Sequence, residues 1–427
     1  MRAIRARILH VESTQPLRWQ YLKDGVVVIE AGKIKETAAA DQLQRDGFDL
    51  DTCEDRRDGL LIPGMIDIHV HSPQIDVIAS YSEQLLDWLD RYTFPAEAKY
   101  SDQAYAERSA KAFLDGLISA GTTTAMVYVT SHLSATDSFF QAASDRDMRM
   151  IAGKVLMDQQ APPVLCDKTE GGVEDSAMLI EKWHGKGRLG YAVTPRFAVS
   201  SSHAQLAAAG RLHQNYPDTW IQTHLSENLA EIQKVAELHP GSSDYLEVYE
   251  RHGLLTDRTV FGHCLHLSES EIGRMADAGG KVAFCPSSNL FLGSGLLEVE
   301  KLRKWGLGVG VASDVGGGTS LSMLRTLADA FKVCQLRDYS LSAMEAFAMV
   351  TLGNAELLGL NQFIGNLEKG KEADMVLLEA KSDTIMGRRL RLTESVEDEM
   401  FVYITMGDEA LVKETIIKGL TMGPNGV

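Results

Sequence analysis

Residues 63–71 read Pro63-Gly64-Met65-Ile66-Asp67-Ile68-His69-Val70-His71, and this stretch decides how the chain is understood. A Pro-Gly break opens a short apolar run, so Met65 to Val70 is expected to be a buried strand. The run ends in two histidines two positions apart. On an extended chain residues i and i+2 face the same side, so both imidazoles leave the strand end together.

Outward from this strand, runs of the same kind recur at Thr123 to Val129, Met150 to Leu156, Leu189 to Val193, Trp220 to His224, Thr259 to Gly262, Lys281 to Phe284 and Gly308 to Ser313. Helical stretches separate them; Ala104 to Ser119 is rich in Ala, Leu and Lys and stops at Gly121. Short strands alternating with helices make a parallel α/β fold, and eight such strands are the number that closes a (β/α)8 TIM barrel. The first sixty residues read differently. Strand-like runs at Arg5 to His10 and Gly25 to Glu30 are punctuated by turn signals at Asp24-Gly25 and Ala31-Gly32. Beyond Gly365 to Gly370, Ala373 to Glu379, Phe401 to Ile404 and Thr415 to Lys418 read as further strands. The expected organisation is a barrel over residues 63–367 and a small β-sandwich composed of residues 1–62 plus 368–427.

In a barrel of this kind the chemistry sits where strands run into the following loops. Polar residues collect there: His69 and His71 after the first strand, His224 and then Glu227 after the fifth, His263 after the sixth, Asp314 after the eighth. Imidazoles and a carboxylate from separate strands are the ligand types of a catalytic Zn²⁺, with water in the open position. Such an ion lowers the pKa of water towards ~7 and makes hydroxide available at neutral pH. An isolated H-x-H is a weak signal, since a pair of packed histidines reads the same; its joint occurrence with the other strand-end residues is the stronger one.

With these motifs in place, the chain resembles the amidohydrolase superfamily through P-G-M-I-D-I-H-V-H, T-H-L-S-E, G-H-C and S-D-V-G-G-G. Narrower motifs resemble its guanine-deaminating branch: Ser72-Pro73-Gln74, the run L-L-D-W-L-D-R-Y-T-F-P-A-E at Leu85 to Glu97, G-K-V-L-M-D at Gly153 to Asp158, T-P-R-F at Thr194 to Phe197, and C-P-S-S-N-L-F-L-G-S-G at Cys285 to Gly295. The resemblance covers roughly residues 60–370. It implies a metal-dependent barrel hydrolase with His69, His71, His224 and Asp314 as metal ligands, Glu227 as proton shuttle and His263 against the attacking water. Asp314 would also share in the proton transfers. One Zn²⁺ per subunit is implied, with Fe²⁺ or Mn²⁺ acceptable to the same ligands. Two-metal relatives bridge their ions with a lysine at the end of the fourth strand; here that strand ends in Val193-Thr194-Pro195-Arg196, which favours one metal. Lys154, within the third strand, reads as structural.

For the substrate, the resemblance places Gln74, Arg196 and Phe197 in the base pocket. Arginine offers a rigid fork that suits the O6 and N7 acceptors of guanine, and a glutamine amide both donates and accepts. The implied reaction is hydrolysis of guanine to xanthine and ammonia. Another ring, such as a pterin, 8-oxoguanine or a triazine, remains an alternative for the same metal chemistry, and a non-catalytic scaffold is a remote one. The H-x-E and P-C-x-x-C motifs of the other zinc-deaminase class are absent. His132, His203, His213, His239, His252 and His266 fit no motif and read as surface or helix-terminal. Trp88 and Tyr92 read equally as core or lid, and Gly316-Gly317-Gly318 as flexibility beside Asp314 rather than a phosphate loop.

Bulk properties bound the partners. Of 427 residues, 44% are hydrophobic and 24% charged, and 42 Lys plus Arg against 59 Asp plus Glu give a net charge of −17. That balance opposes nucleic acid and anionic lipid and leaves a small molecule as the expected partner. The five cysteines, Cys53, Cys166, Cys264, Cys285 and Cys334, are scattered and form no C-x-x-C. No segment approaches the ~18 apolar residues of a membrane span, so a cytoplasmic enzyme is expected. A homodimer is implied by the resemblance alone.

Overall fold

The computed structural model describes residues 1–82 and 84–423. Its central feature is a ring of parallel strands: β5 (Met65–His71), β6 (Thr122–Tyr128), β7 (Arg149–Gly153) with its short continuation β8 (Val155–Leu156), β9 (Gly190–Pro195), β10 (Trp220–Leu225), β11 (Thr259–His263), β12 (Lys281–Phe284) and β13 (Gly308–Val311). They pair in the order β5, β6, β7, β9, β10, β11, β12, β13, with β8 also on β9. Helices cover the outer face and side chains fill the inside, so both faces of the strands are buried. This is why they read as continuous apolar runs without alternation.

The seam between β5 and β13 is closed by two backbone bonds just beyond β13, from Asp314 N–H to the His69 carbonyl and from His71 N–H to the Val315 carbonyl, both at 2.9 Å, and by side chains. The amide nitrogen of Asn354 donates to the carbonyls of Ile66 (2.8 Å) and Val311 (2.9 Å), one on each strand. Beside it, Asp67 accepts from the Ser313 hydroxyl and from the Ser313 N–H at 3.1 Å. The helix Gln103–Ser119 shows how the outer layer forms. Asp102 caps it by accepting from the Tyr105 N–H, the face Ala106, Ala110, Phe113, Leu114 and Leu117 is buried, and the chain leaves through Gly121 at φ +80°.

Both chain ends build a separate sheet in the order β16, β15, β14, β4, β1, β2, β3, where β1 is Arg2–Thr14, β2 Leu17–Glu30, β3 Lys33–Ala39, β4 Glu54–Pro63, β14 Met375–Leu378, β15 Val412–Ile417 and β16 Leu420–Met422. β4 bridges the two halves, parallel to β1 and antiparallel to β14, and runs through Gly64 straight into β5.

Two sequence expectations are corrected. Phe401 to Ile404 is not a strand but part of the helix Val396–Met406. Ser395 caps it, Glu397, Asp398 and Glu399 occupy its first turn, and Met400, Tyr403 and Ile404 bury one face, so capping and 3.6-residue spacing outweigh the local β propensity. Asp24-Gly25 is not a turn, because both residues lie inside β2. A Cβ on Gly25 would stand 2.6 Å from Ile8 Cδ1, beside the register shift between Ala6 and Ile8. The glycine therefore permits close approach at a bulge. Ala31 (φ 52°) and Gly32 (φ 77°) do form the expected two-residue hairpin between β2 and β3.

Candidate active site

The strand ends bring the singled-out residues around one cavity. It is lined by His71, Gln74, Arg196, Phe197, His224, Glu227, His263 and Asp314 from the barrel, and by Leu85, Trp88 and Leu89 from the segment after β5.

At its floor His69, His71, His224 and Asp314 converge. The Nε2 atoms of His71 and His224 stand 3.1 Å apart, and Asp314 Oδ1 lies 3.3 Å from His69 Nε2 and 3.4 Å from His71 Nε2. His224 Nδ1 lies 2.6 Å from the Arg196 carbonyl, which can only accept, so the proton sits on Nδ1 and the Nε2 lone pair faces inward. Both ring nitrogens of His69 are buried with no hydrogen-bond partner among the described residues. Burial lowers the His71 pKa to about 4 and pushes that of His224 well below the usual imidazole range, where His69, His71 and His263 push it further. Burial opposes ionisation of Asp314, yet its contacts with His69 and His71 hold its carboxyl well below the ordinary range. Three imidazoles, of which burial favours the neutral form at His71 and His224, and a carboxylate held ionised fit one divalent cation, and the ligand atoms of these four residues lie within 4.8 Å of one another. A second combination, His69, His263, Cys285 and Asp314, meets the same distance limit.

Above this floor, Glu227 Oε2 lies 3.4 Å from His263 Nε2, and Asp314 Oδ2 lies 3.7 Å from the same nitrogen. The Asn289 amide nitrogen is 2.9 Å from His263 Nδ1 and donates to it, which leaves the His263 proton on Nε2 facing both carboxylates. Glu227 is buried and accepts from Ser294 Oγ at 3.0 Å. Burial and the nearby charges of Asp314 and Glu231 raise its pKa well above the ordinary carboxylate value, which favours proton uptake by this group. The backbone takes the left-handed region at Ser226 (φ 50°), His263 (71°), Cys264 (59°) and Asp314 (48°). Strain of roughly 1–3 kcal/mol at each is concentrated where these side chains are aimed.

On the far wall, Gln74 and Arg196 are buried at 2% and 3% exposure, and Phe197 lies beside His224 with ring centroids 6.3 Å apart. All candidate residues read from the sequence are thus in one place. Several of their supports were not singled out as site residues: Asp67, which holds Ser313 next to Asp314 in the chain, Tyr128 against the rings of His69, His71 and His224, Asn289 and Ser294 behind His263 and Glu227, and Glu97 behind Gln74 and Arg196. All but Tyr128 sit inside the quoted motifs, so motif membership was the available signal. Of the spare histidines, His132, His203, His213 and His239 stand at or near helix ends, His252 follows one and His266 lies in the turn after β11 against the Ser294 carbonyl; His213 and His239 are buried, and His239 is linked to His203, which in turn contacts His252. Lys154 is buried and donates to Asp167 at 2.6 Å, the structural role expected of it. Trp88 borders the cavity, whereas Tyr92 does not.

A parallel barrel with a histidine and aspartate cation site and a buried carboxylate at its strand ends defines a metal-dependent barrel hydrolase. The chain belongs to the amidohydrolase family, whose model matches residues 60–422. It is 44% identical over 400 residues to the guanine deaminase of Escherichia coli (strain K12), covering 94% of this chain and 91% of that protein. The solved E. coli guanine deaminase superposes with a TM-score of 0.95 at 42% identity over 99% of both chains. The guanine deaminase from C. acetobutylicum with bound guanine in the active site superposes with a TM-score of 0.90 at 27% identity, over 99% of this chain and 100% of that one.

Proposed function

We propose that the protein hydrolyses guanine to xanthine and ammonia. One observation carries this reading: a cation-fitting set of His69, His71, His224 and Asp314 shares a cavity with a proton-holding carboxylate, Glu227, and with the acceptor-reading pair Gln74 and Arg196. The relatives' activity agrees with it. A bound divalent ion, Zn²⁺ or Fe²⁺, would polarise the attacking water and lower its pKa. The side chains account for the rest. Glu227 takes a proton from the water and delivers it to the ring nitrogen next to the carbon that carries the exocyclic amine. The water oxygen bonds to that carbon, the C–N bond breaks with Asp314 and His263 moving the remaining proton to the amine, and ammonia leaves. Arg196 and Gln74 orient the ring through its O6 edge, and Phe197 closes the pocket beside it.

Residues 1–62 with 368–427 would form one domain and residues 63–367 the catalytic one. We further propose a homodimer and a cytoplasmic location. The five free cysteines suit a reducing compartment, and no helix among the described residues is long and apolar enough to cross a membrane. The deciding experiment follows ammonia and xanthine from metal-loaded protein with guanine, beside isoxanthopterin and 8-oxoguanine. Guanine should be turned over fastest; preference for either analogue would replace this reading.

A further inference from the structure

Behind the two residues that read the ring stands a third, Glu97, fully buried in the helical turn Phe94–Ala98. One of its oxygens, Oε1, accepts from Arg196 Nη1 at 2.8 Å and from Gln74 Nε2 at 3.1 Å. Its other oxygen, Oε2, is buried without a partner among the described residues. The same turn holds Arg196 from a second side, since the Phe94 ring centroid lies 5.6 Å from the guanidinium carbon. Gln74 is gripped at its other end as well: Gly316 N–H donates to Oε1 at 3.1 Å.

The consequence is a matter of donors and acceptors. A carboxylate only accepts, so it fixes the Gln74 amide with its nitrogen towards Glu97, while Gly316 fixes the oxygen; the amide cannot flip. The guanidinium spends one donor on Glu97 and keeps four. What the pair presents to a ligand is therefore a wall rich in N–H donors, which matches a ring edge carrying a carbonyl and a bare ring nitrogen and opposes one carrying an amino group.

We propose that Glu97 is a positioning residue that sets the hydrogen-bond polarity of the pocket, so that a 6-oxo purine is accepted and a 6-amino purine refused. The proposal rests on the guanine reading above. Replacing Glu97 by glutamine supplies a donor of its own, leaves Gly316 as the one remaining hold on the orientation of the Gln74 amide and removes the charge partner of Arg196.

The test uses metal-loaded full-length protein as wild type, Glu97→Gln and Glu97→Asp. For each, KM and kcat are measured with guanine, and the inhibition constant with 2,6-diaminopurine, whose 6-position carries an amino group. Metal content and melting temperature are recorded alongside. In Glu97→Gln we expect KM to rise about 10- to 100-fold, the range of a lost charged hydrogen bond, with kcat changed far less. The preference for guanine over 2,6-diaminopurine should fall by about tenfold or more, and metal content should stay at the wild-type level. Glu97→Asp, which keeps the charge, should restore part of both. Unchanged KM and preference in Glu97→Gln overturn the role of Glu97, as does a loss confined to kcat and metal content. Should Glu97→Gln not fold, Glu97→Asp decides alone: a several-fold rise in KM supports the proposal and an unchanged KM overturns it. A wild-type protein inert towards guanine instead overturns the functional reading, and this inference with it.

Discussion

At the scale of single residues, burial and near neighbours set what each group does. Burial and the charge of Asp314 penalise the ionised form of Glu227, which makes its carboxylate a stronger base towards a proton than an exposed one. Glu227→Gln keeps the shape but not the proton exchange, so kcat should fall by about 10²- to 10⁴-fold while bound metal, measured by elemental analysis, is unchanged. Near-normal turnover in this variant would remove Glu227 from the mechanism. Its neighbour Glu231 accepts from Tyr245 Oη at 2.7 Å and from the N–H groups of Glu227 and Asn228. Burial nonetheless pushes it up from 4.5 to about 6. A carboxyl raised in the folded state binds its proton more tightly there. Its contribution is therefore complete below the unfolded value and is lost as pH rises through about 6, an amount on the order of 2 kcal/mol. Chemical denaturation of wild type and Glu231→Gln between pH 4 and 7 should show the wild type losing about that much relative to the variant; a pH-independent difference would contradict it. The candidate residues at the strand ends were legible one by one because strand ends display them. Asp67 and Glu97 were not singled out, since a buried carboxylate declares its role only through partners distant in the chain.

Strands and helices, one level up, place these groups by what they exclude as much as by what they carry. Gly262 in β11 lies beside His69: a Cβ there would stand 2.6 Å from His69 Cε1 and 3.0 Å from Nδ1. His69 is fully buried and has nowhere to move. Gly262→Ala should therefore turn the His69 ring out of line and weaken metal retention about 10- to 100-fold, the scale found when the support of a ligand is disturbed. Dialysis against graded chelator, followed by metal analysis, checks this, and wild-type retention would show that the ring adapts. The barrel strands were legible because burial on both faces writes a continuous apolar run. The helix Val396–Met406 was misread because Phe401 to Ile404 has strand propensity in isolation, and its cap and buried face become visible only over a longer window.

For the molecule as a whole, the join between the barrel and the terminal sheet combines a shared apolar core, in which Leu60, Ile62, Val376 and Leu378 pack with barrel residues, with an ionic cluster. Arg188, ahead of β9, pairs with Glu372 at 2.9 Å and with Asp374, and Arg149 at the start of β7 pairs with Glu372 at 2.6 Å. Both acids precede β14, so two barrel strands grip the point where the chain enters the sheet. Arg188→Met leaves Asp374 buried without its cation and should cost roughly 3–5 kcal/mol, read as a lower denaturation midpoint; a change below ~1 kcal/mol would show that Arg149 suffices. The sequence by itself determined the eight barrel strands, the meeting of the chain ends and the polar residues that gather at the strand ends, because periodicity and strand-end placement are properties of contiguous residues; the candidates Gln74, Arg196 and Phe197 came from motif resemblance. Only the tertiary structure decided how the barrel is sealed by Asn354, which carbonyl fixes the His224 tautomer, and that Glu97 stands behind both Gln74 and Arg196. Such contacts join positions far apart in the chain, and the burial that gives them their strength exists only once the barrel has closed.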